Sequence, residues 1–169
     1  ALASPPSGNV ANGRALVIDR RDLLELANTL GLRPNVVEKD YILSWILAGI
    51  YGDPELATAW VFKGGTCLKK CYFETYRFSE DLDFTISDDA HASADFLKER
   101  FASVSEWVQE RAGIELPIDL LKFDLFQNKQ GRPQGEGRIA YRGPLAPGGD
   151  LPRIKLDLTF HEKLVLPPV

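Results

Sequence analysis

The chain has 169 residues, 44% of them hydrophobic, which is enough to bury the core of one globular domain. A net charge of −4 excludes a protein that coats nucleic acid indiscriminately. The most apolar run, residues 41–51, is too short to span a bilayer and no secretory segment is visible, so a cytoplasmic protein without membrane attachment is expected.

Residues 1–12 are rich in small side chains, include Pro5 and Pro6 and lack an apolar period, so they read as a flexible tail ahead of a domain over residues 13–169. The sequence contains no methionine, which fits a chain cut from something longer. Asp19 is placed to cap a first helix running to about Leu30. Asn35 with Glu38 has the spacing of a capping box for a second, which carries Val36, Tyr41, Trp45 and Leu47 and ends near Gly52. Residues 59–62 then form a short apolar run stopped at Lys63 by two glycines, the pattern of a buried strand.

Gly64 and Gly65 permit positive φ and leave room for a ligand against bare backbone, while Thr66 is positioned to cap a helix over residues 67–73. A helix start offers N–H donors to an anion such as a triphosphate, and Lys63 adds a formal charge. A lone Gly-Gly-Thr would be an ordinary strand-to-helix turn, but here an acidic pair comes soon after it in the chain. Cys67 and Cys71 share a face of the expected helix and, with His91 and His161 far away, read as buried free thiols rather than a zinc site.

In residues 81–86, Leu82, Phe84 and Ile86 alternate with Asp81 and Asp83, so both aspartates share the face away from the core. Two carboxylates on one face repel unless a cation lies between them, and hard oxygen ligands suit magnesium. The bland alternative is a solvated strand face. A long helix is expected after Ser87 or Asp88, through Phe96, Leu97, Phe101, Val104 and Val108 to Gly113. Residues 114–127 alternate in part, residues 128–137 read as a polar turn, and residues 139–142 as a short strand, together an antiparallel addition to a sheet. Between Lys122 and Lys155 seven cations face three carboxylates, a local excess where an RNA backbone could lie, or simply a solvated hairpin. In the last strand Ile154, Leu156, Leu158 and Phe160 alternate with Arg153, Lys155, Asp157 and Thr159. If it lies beside the strand of Asp83, Asp157 completes a triad of the kind used in two-metal displacement, with ions held about 3.5–4 Å apart.

These segments resemble the AbiEii/AbiGii-type nucleotidyltransferase toxins, within the DNA polymerase β-like nucleotidyltransferase superfamily. The resemblance rests on Glu38-Lys39-Asp40-Tyr41, Phe62-Lys63-Gly64-Gly65-Thr66, Arg77-Phe78-Ser79-Glu80-Asp81-Leu82-Asp83 and Ile154-Lys155-Leu156-Asp157. It implies an α/β (α+β) polymerase β-like core, a mixed sheet flanked by helices. It further implies transfer of a nucleoside monophosphate from a nucleoside triphosphate to an acceptor hydroxyl, with two Mg2+ ions, an RNA such as tRNA as acceptor and a cognate antitoxin as partner.

Carried over by position, Lys63, Gly64, Gly65 and Thr66 would bind the nucleotide's phosphates, Asp81 and Asp83 the metal, and Asp157 would help activate the acceptor. Arg77 and Ser79 would brace the loop or touch phosphate, with Arg77 alternatively a loop anchor paired to Glu80 or Glu74. The family's C-terminal helical half has no match in these 169 residues. A catalytically silent nucleotide- or partner-binding module is therefore the rival, and a metal-dependent nuclease ranks below it because it leaves the glycine turn idle.

Overall fold

The structure is a computed structural model that describes residues 17–72, 81–146, 148–160 and 162. The expected tail over residues 1–12 lies outside them. Helix α1 (Arg20–Leu30) starts where the Asp19 carboxylate accepts the Asp22 N–H at 2.9 Å, and ends at Gly31 in the left-handed region. Helix α2 (Pro34–Gly52) follows, but without the expected capping box. Its N-cap is Arg33, and Pro34 fills the first turn, where a missing N–H costs nothing. Glu38 instead turns inward, buried, and accepts the Leu145 N–H at 2.7 Å. The short α3 (Pro54–Ala59), capped by Asp53, has no counterpart among the expected elements, although Asp before Pro is a helix-start signal.

Strands β1 (Trp60–Lys63), β2 (Asp81–Ile86), β3 (Lys122–Gln127), β4 (Pro133–Ala140) and β5 (Arg153–Phe160) form a mixed sheet in the order β1-β2-β5-β4-β3. The β2–β5 pair is parallel and the other three pairs are antiparallel. Strand β4 begins earlier than its sequence suggests. Residues 133–137, expected in a turn, are its first half, because Gly135 and Gly137 let Leu125 and Phe123 of β3 lie close against the backbone. A Cβ at either glycine would come within 2.9 Å and 2.8 Å of those side chains.

The alternation in β2 and β5 sets the layers. Leu82, Phe84 and Ile86, with Ile154, Leu156, Leu158 and Phe160, are buried against Ile42, Leu43, Ile46 and Ile50 of α2. The same core takes in Leu97, Phe101, Val104 and Val108 of α5 (Ala94–Ala112), which is capped by Ser93 and ended by Gly113. Each such side chain contributes about 1.5–3 kcal/mol by leaving water. A smaller cluster of Leu23, Ala27 and Val37 seats α1. The architecture is the mixed sheet flanked by helices that the sequence leads one to expect. Among the described residues no helix is long and apolar enough to cross a membrane.

Strand β1 lies at the sheet edge, so its outer backbone groups need partners. Tyr51, from the end of α2, supplies them: its hydroxyl donates to the Trp60 carbonyl and accepts the Phe62 N–H, each at 3.1 Å. Inside, the Trp60 indole N–H donates to buried His91 at 3.1 Å, and its ring packs 5.1 Å from Phe84. The strand that leads into the glycine turn is thus held from the edge and from the core.

The α2–α5 crossing is close at Gly49, where a Cβ would stand 2.8 Å from Val104 Cγ1. Gly49→Ala should therefore cost about 1–3 kcal/mol in urea denaturation, even though helix propensity alone would favour alanine by about 1 kcal/mol. Adding Val104→Ala should return part of that loss; a stabilised single variant would show that the crossing tolerates a methyl group.

Candidate active site

At the end of β1 the backbone turns through Gly64 with φ 77°, a conformation that side chains disfavour. Helix α4 (Gly64–Cys67) begins at the glycines themselves, with Lys63 as N-cap, and after four residues widens into a π-helical turn, Leu68–Tyr72. The expected helix over residues 67–73 is therefore displaced toward the glycines. Thr66 is not its cap. It lies inside α4, fully buried, and its hydroxyl donates to the Asp81 carbonyl at 2.6 Å, which ties the turn to the start of β2. So short a helix has little macrodipole, and what its first turn could offer an anion is the backbone N–H groups that lack intrahelical acceptors.

Gly64 has a second reason to lack a side chain: a Cβ there would stand 2.1 Å from Asp83 Oδ2. The turn and the carboxylate are in direct contact. Lys70, in the π turn, reaches back to α2, with its amine 2.7 Å from Ser44 Oγ and 3.2 Å from the Asp40 carboxylate. The two thiols differ from expectation: Cys67 is half-buried and Cys71 exposed. Burial, with Cys71 beside it, pushes the Cys67 thiol up to about 12, so it stays protonated and inert at neutral pH.

Across the sheet, one level on the polar face reads Lys63, Asp83, Asp157, Glu136, Asp124, in the strand order β1-β2-β5-β4-β3. The adjoining level reads Asp81, Lys155, Arg138, Lys122. An acidic row and a basic row thus lie side by side. Asp83 and Asp157 are direct neighbours on parallel strands, and burial, then Asp157, then Asp81 raise the Asp83 carboxyl above its ordinary range, against the pull of Lys63 and Lys155.

Lys155 offsets part of this repulsion. Its amine stands 2.9 Å from Asp157 Oδ1 and 3.4 Å from Glu136 Oε2, while Arg138 holds Glu136 at 2.6 Å. On the other flank, Glu162 accepts hydrogen bonds from the Lys63 amine and the Thr85 hydroxyl. Of the residues expected at the site, Lys63, Gly64, Gly65, Thr66, Asp81, Asp83 and Asp157 fall on β1, α4, β2 and β5 around this contact, and Arg77 and Ser79 lie outside the described residues. His161 is likewise outside them.

Among the described residues no three Asp, Glu, His or Cys side chains stand close enough to hold a metal ion as they are. Asp157 is instead paired with the Lys155 amine. The donor set nonetheless suits a hard divalent cation: carboxylate oxygens only, one of them carrying an ionisation penalty from burial and then from its acidic neighbours, and packed on bare backbone. Lys155, Glu136 and Glu162 were not expected to take part. Alternation in β5 already put Lys155 beside Asp157, whereas nothing in the local sequence marks Glu162.

Because the folded pKa of Asp83 is raised, its contribution favours the fold below the ordinary carboxylate pKa and is lost as pH rises through the folded value. Asp83→Asn should therefore melt about 2–4 °C higher than the wild type at about pH 7 in metal-free buffer, and the gap should close at about pH 3.5. Gly64→Ala should lower stability by about 1–3 kcal/mol, from left-handed strain and displacement of Asp83. Calorimetry of both variants checks the pair, and an unchanged Gly64→Ala melt would mean that the turn is not in contact with Asp83.

The sequence profile described as nucleotidyl transferase AbiEii toxin, type IV TA system, matches residues 45–169. A crystal structure of a provisionally named nucleotidyltransferase from H. pylori aligns at 21% identity and a TM-score of 0.48, over 78% of this chain and 48% of that one. The chain thus spans about half the length of that protein. No curated protein gives a significant match. With the profile covering most of the sequence, the chain belongs to the AbiEii nucleotidyl transferase toxin family of type IV toxin–antitoxin systems.

Proposed function

We propose that this chain performs magnesium-dependent nucleotidyl transfer, moving a nucleoside monophosphate from a nucleoside triphosphate to a hydroxyl of an RNA such as tRNA. Its setting would be a toxin–antitoxin or phage-defence pair with a cognate antitoxin. The observation that carries this reading is the contact between side-chain-free Gly64 and the Asp83 carboxylate, directly across from Asp157. It brings together the two elements this reading calls on, a backbone turn bare of side chain and carboxylates for a cation.

In this reading Gly64 and Gly65 offer backbone donors to the triphosphate, with Lys63 beside them, and Thr66 braces the turn. Arg77 and Ser79 are assigned to the same phosphates by family resemblance. Asp81 and Asp83 would hold magnesium, with Asp157 toward a second ion. Bound there, the metal supplies positive charge to the phosphoryl oxygens. The acceptor oxygen bonds to the α-phosphorus while the bond from that phosphorus to the bridging oxygen breaks. Pyrophosphate leaves with that oxygen, and the hydroxyl proton passes to Asp157. For Asp157 to receive it, the Lys155 amine has to shift toward Glu136. Positioning and charge neutralisation are most of what this chemistry asks of a protein.

The basic row offers the acceptor a place. A cavity of about 530 Å³ is lined by Lys122, Glu136, Arg138, Arg153, Ile154 and Lys155, and four cations against one carboxylate suit a phosphate backbone. The Lys155–Asp157 pair also favours a second reading, a module that holds nucleotide and metal without turnover. Release of one pyrophosphate per triphosphate consumed separates the two.

Incubation with magnesium, labelled triphosphates and total RNA should label the RNA. Asp81→Ala and Asp83→Ala should each reduce that labelling by at least about a hundredfold, and persistence of the signal would remove both from the chemistry. Lys122→Ala with Arg138→Ala should weaken RNA binding and make its salt dependence shallower, by about one unit of slope for each phosphate left without its cation, while nucleotide affinity stays within about twofold. Equal losses in the two titrations would show that the groove does not hold the acceptor.

A further inference from the structure

Lys63 and Asp83 are register partners on antiparallel strands and share the polar face of the sheet. Opposite charges so placed ordinarily pair across the strands. Lys63 does act on Asp83 through its field, but its amine bonds to Glu162 Oε2. The same oxygen accepts the hydroxyl of Thr85, which is buried two residues beyond Asp83 on β2. Thr85 thus anchors Glu162 over the sheet, and Glu162 in turn holds Lys63. The opposite flank behaves otherwise, since Lys155 lies on Asp157 at 2.9 Å. Of the two lysines that bracket the facing aspartates, one closes its aspartate and the other is drawn aside.

We propose that Glu162 is a positioning residue that holds the Lys63 amine off Asp83 and so leaves the Asp83 carboxylate open to a divalent cation. The idea rests on Asp81 and Asp83 being cation ligands. Were Glu162 absent, Lys63 would be free to swing onto Asp83 and compete with the ion for the same oxygens.

Titration of the whole chain with Mn2+, read from the electron paramagnetic resonance of the free ion, tests this without recourse to activity. Glu162→Ala should weaken Mn2+ binding about three- to fivefold, the scale of a partly exposed ion pair. Glu162→Gln keeps an oxygen for Thr85 and Lys63 and should bind within about twofold of the wild type. In a Lys63→Ala background, removing Glu162 should change nothing. An equal loss in that background would overturn the proposal, because Glu162 would then be a ligand or a purely structural group. So would unaltered binding by Glu162→Ala with Lys63 in place, in a variant that circular dichroism shows to be folded. Wild-type protein that binds no Mn2+ would sink the cation reading itself, whereas a binding wild type with an indifferent Glu162→Ala sinks only the role of Glu162.

Discussion

The parallel register of β2 on β5 is the constraint that shapes the polar face, because it sets Asp83 against Asp157 and Asp81 against Lys155. What holds that register is the opposite face. Leu82, Phe84, Leu156 and Leu158 are buried together, and a slip of one residue would turn all of them to water and the aspartates into the core. Hydrophobic burial therefore enforces an electrostatic arrangement that the charges would not choose. The raised carboxyl of Asp83 is the local cost, small beside the burial of seven β2 and β5 side chains.

Strand order then converts scattered charges into rows. Residues from β1 to β3 that are far apart in sequence meet as Lys63, Asp83, Asp157, Glu136 and Asp124, with Asp81, Lys155, Arg138 and Lys122 alongside. The two rows neutralise one another only in part. Lys155 and Arg138 bind Asp157 and Glu136, while Glu162 takes up Lys63, so among the described residues these cations are bonded elsewhere than on Asp83. That asymmetry distinguishes Asp83 from Asp157 among the described residues.

Backbone detail matters as much as charge. Gly64 serves a left-handed turn and a contact that no Cβ could survive, and these are separate demands met by one residue. Thr66, which local rules would make a helix cap, is drawn into the interior because the Asp81 carbonyl is within reach of its hydroxyl. Tyr51 and His91 fix β1 from its two sides, so the turn is carried on a strand with little freedom to shift. Tertiary partners, not propensity, decide each of these placements.

Much of the frame could be read from local pattern. The Asp19 cap, the end of the first helix near Leu30, the Gly113 stop, the strand over residues 81–86 and the inward face of β5 all arise from short-range rules, since periodicity and capping involve residues within a turn or two. The motifs also sufficed to suggest the family. The early start of β4 and the inward turn of Glu38 were not legible, because each depends on a neighbour from another segment. The start of α2 at Pro34, by contrast, follows a local signal, proline in the first turn, that the capping-box spacing of Asn35 and Glu38 obscured. By itself the sequence determined which residues face the core and which carboxylates share a strand face, for alternation is a local property of the chain. Only the tertiary structure decided that Asp157 would lie opposite Asp83, that Lys155 would neutralise it and that Glu162 would draw Lys63 away, because strand register and side-chain partners are set by packing between segments that the chain order keeps apart.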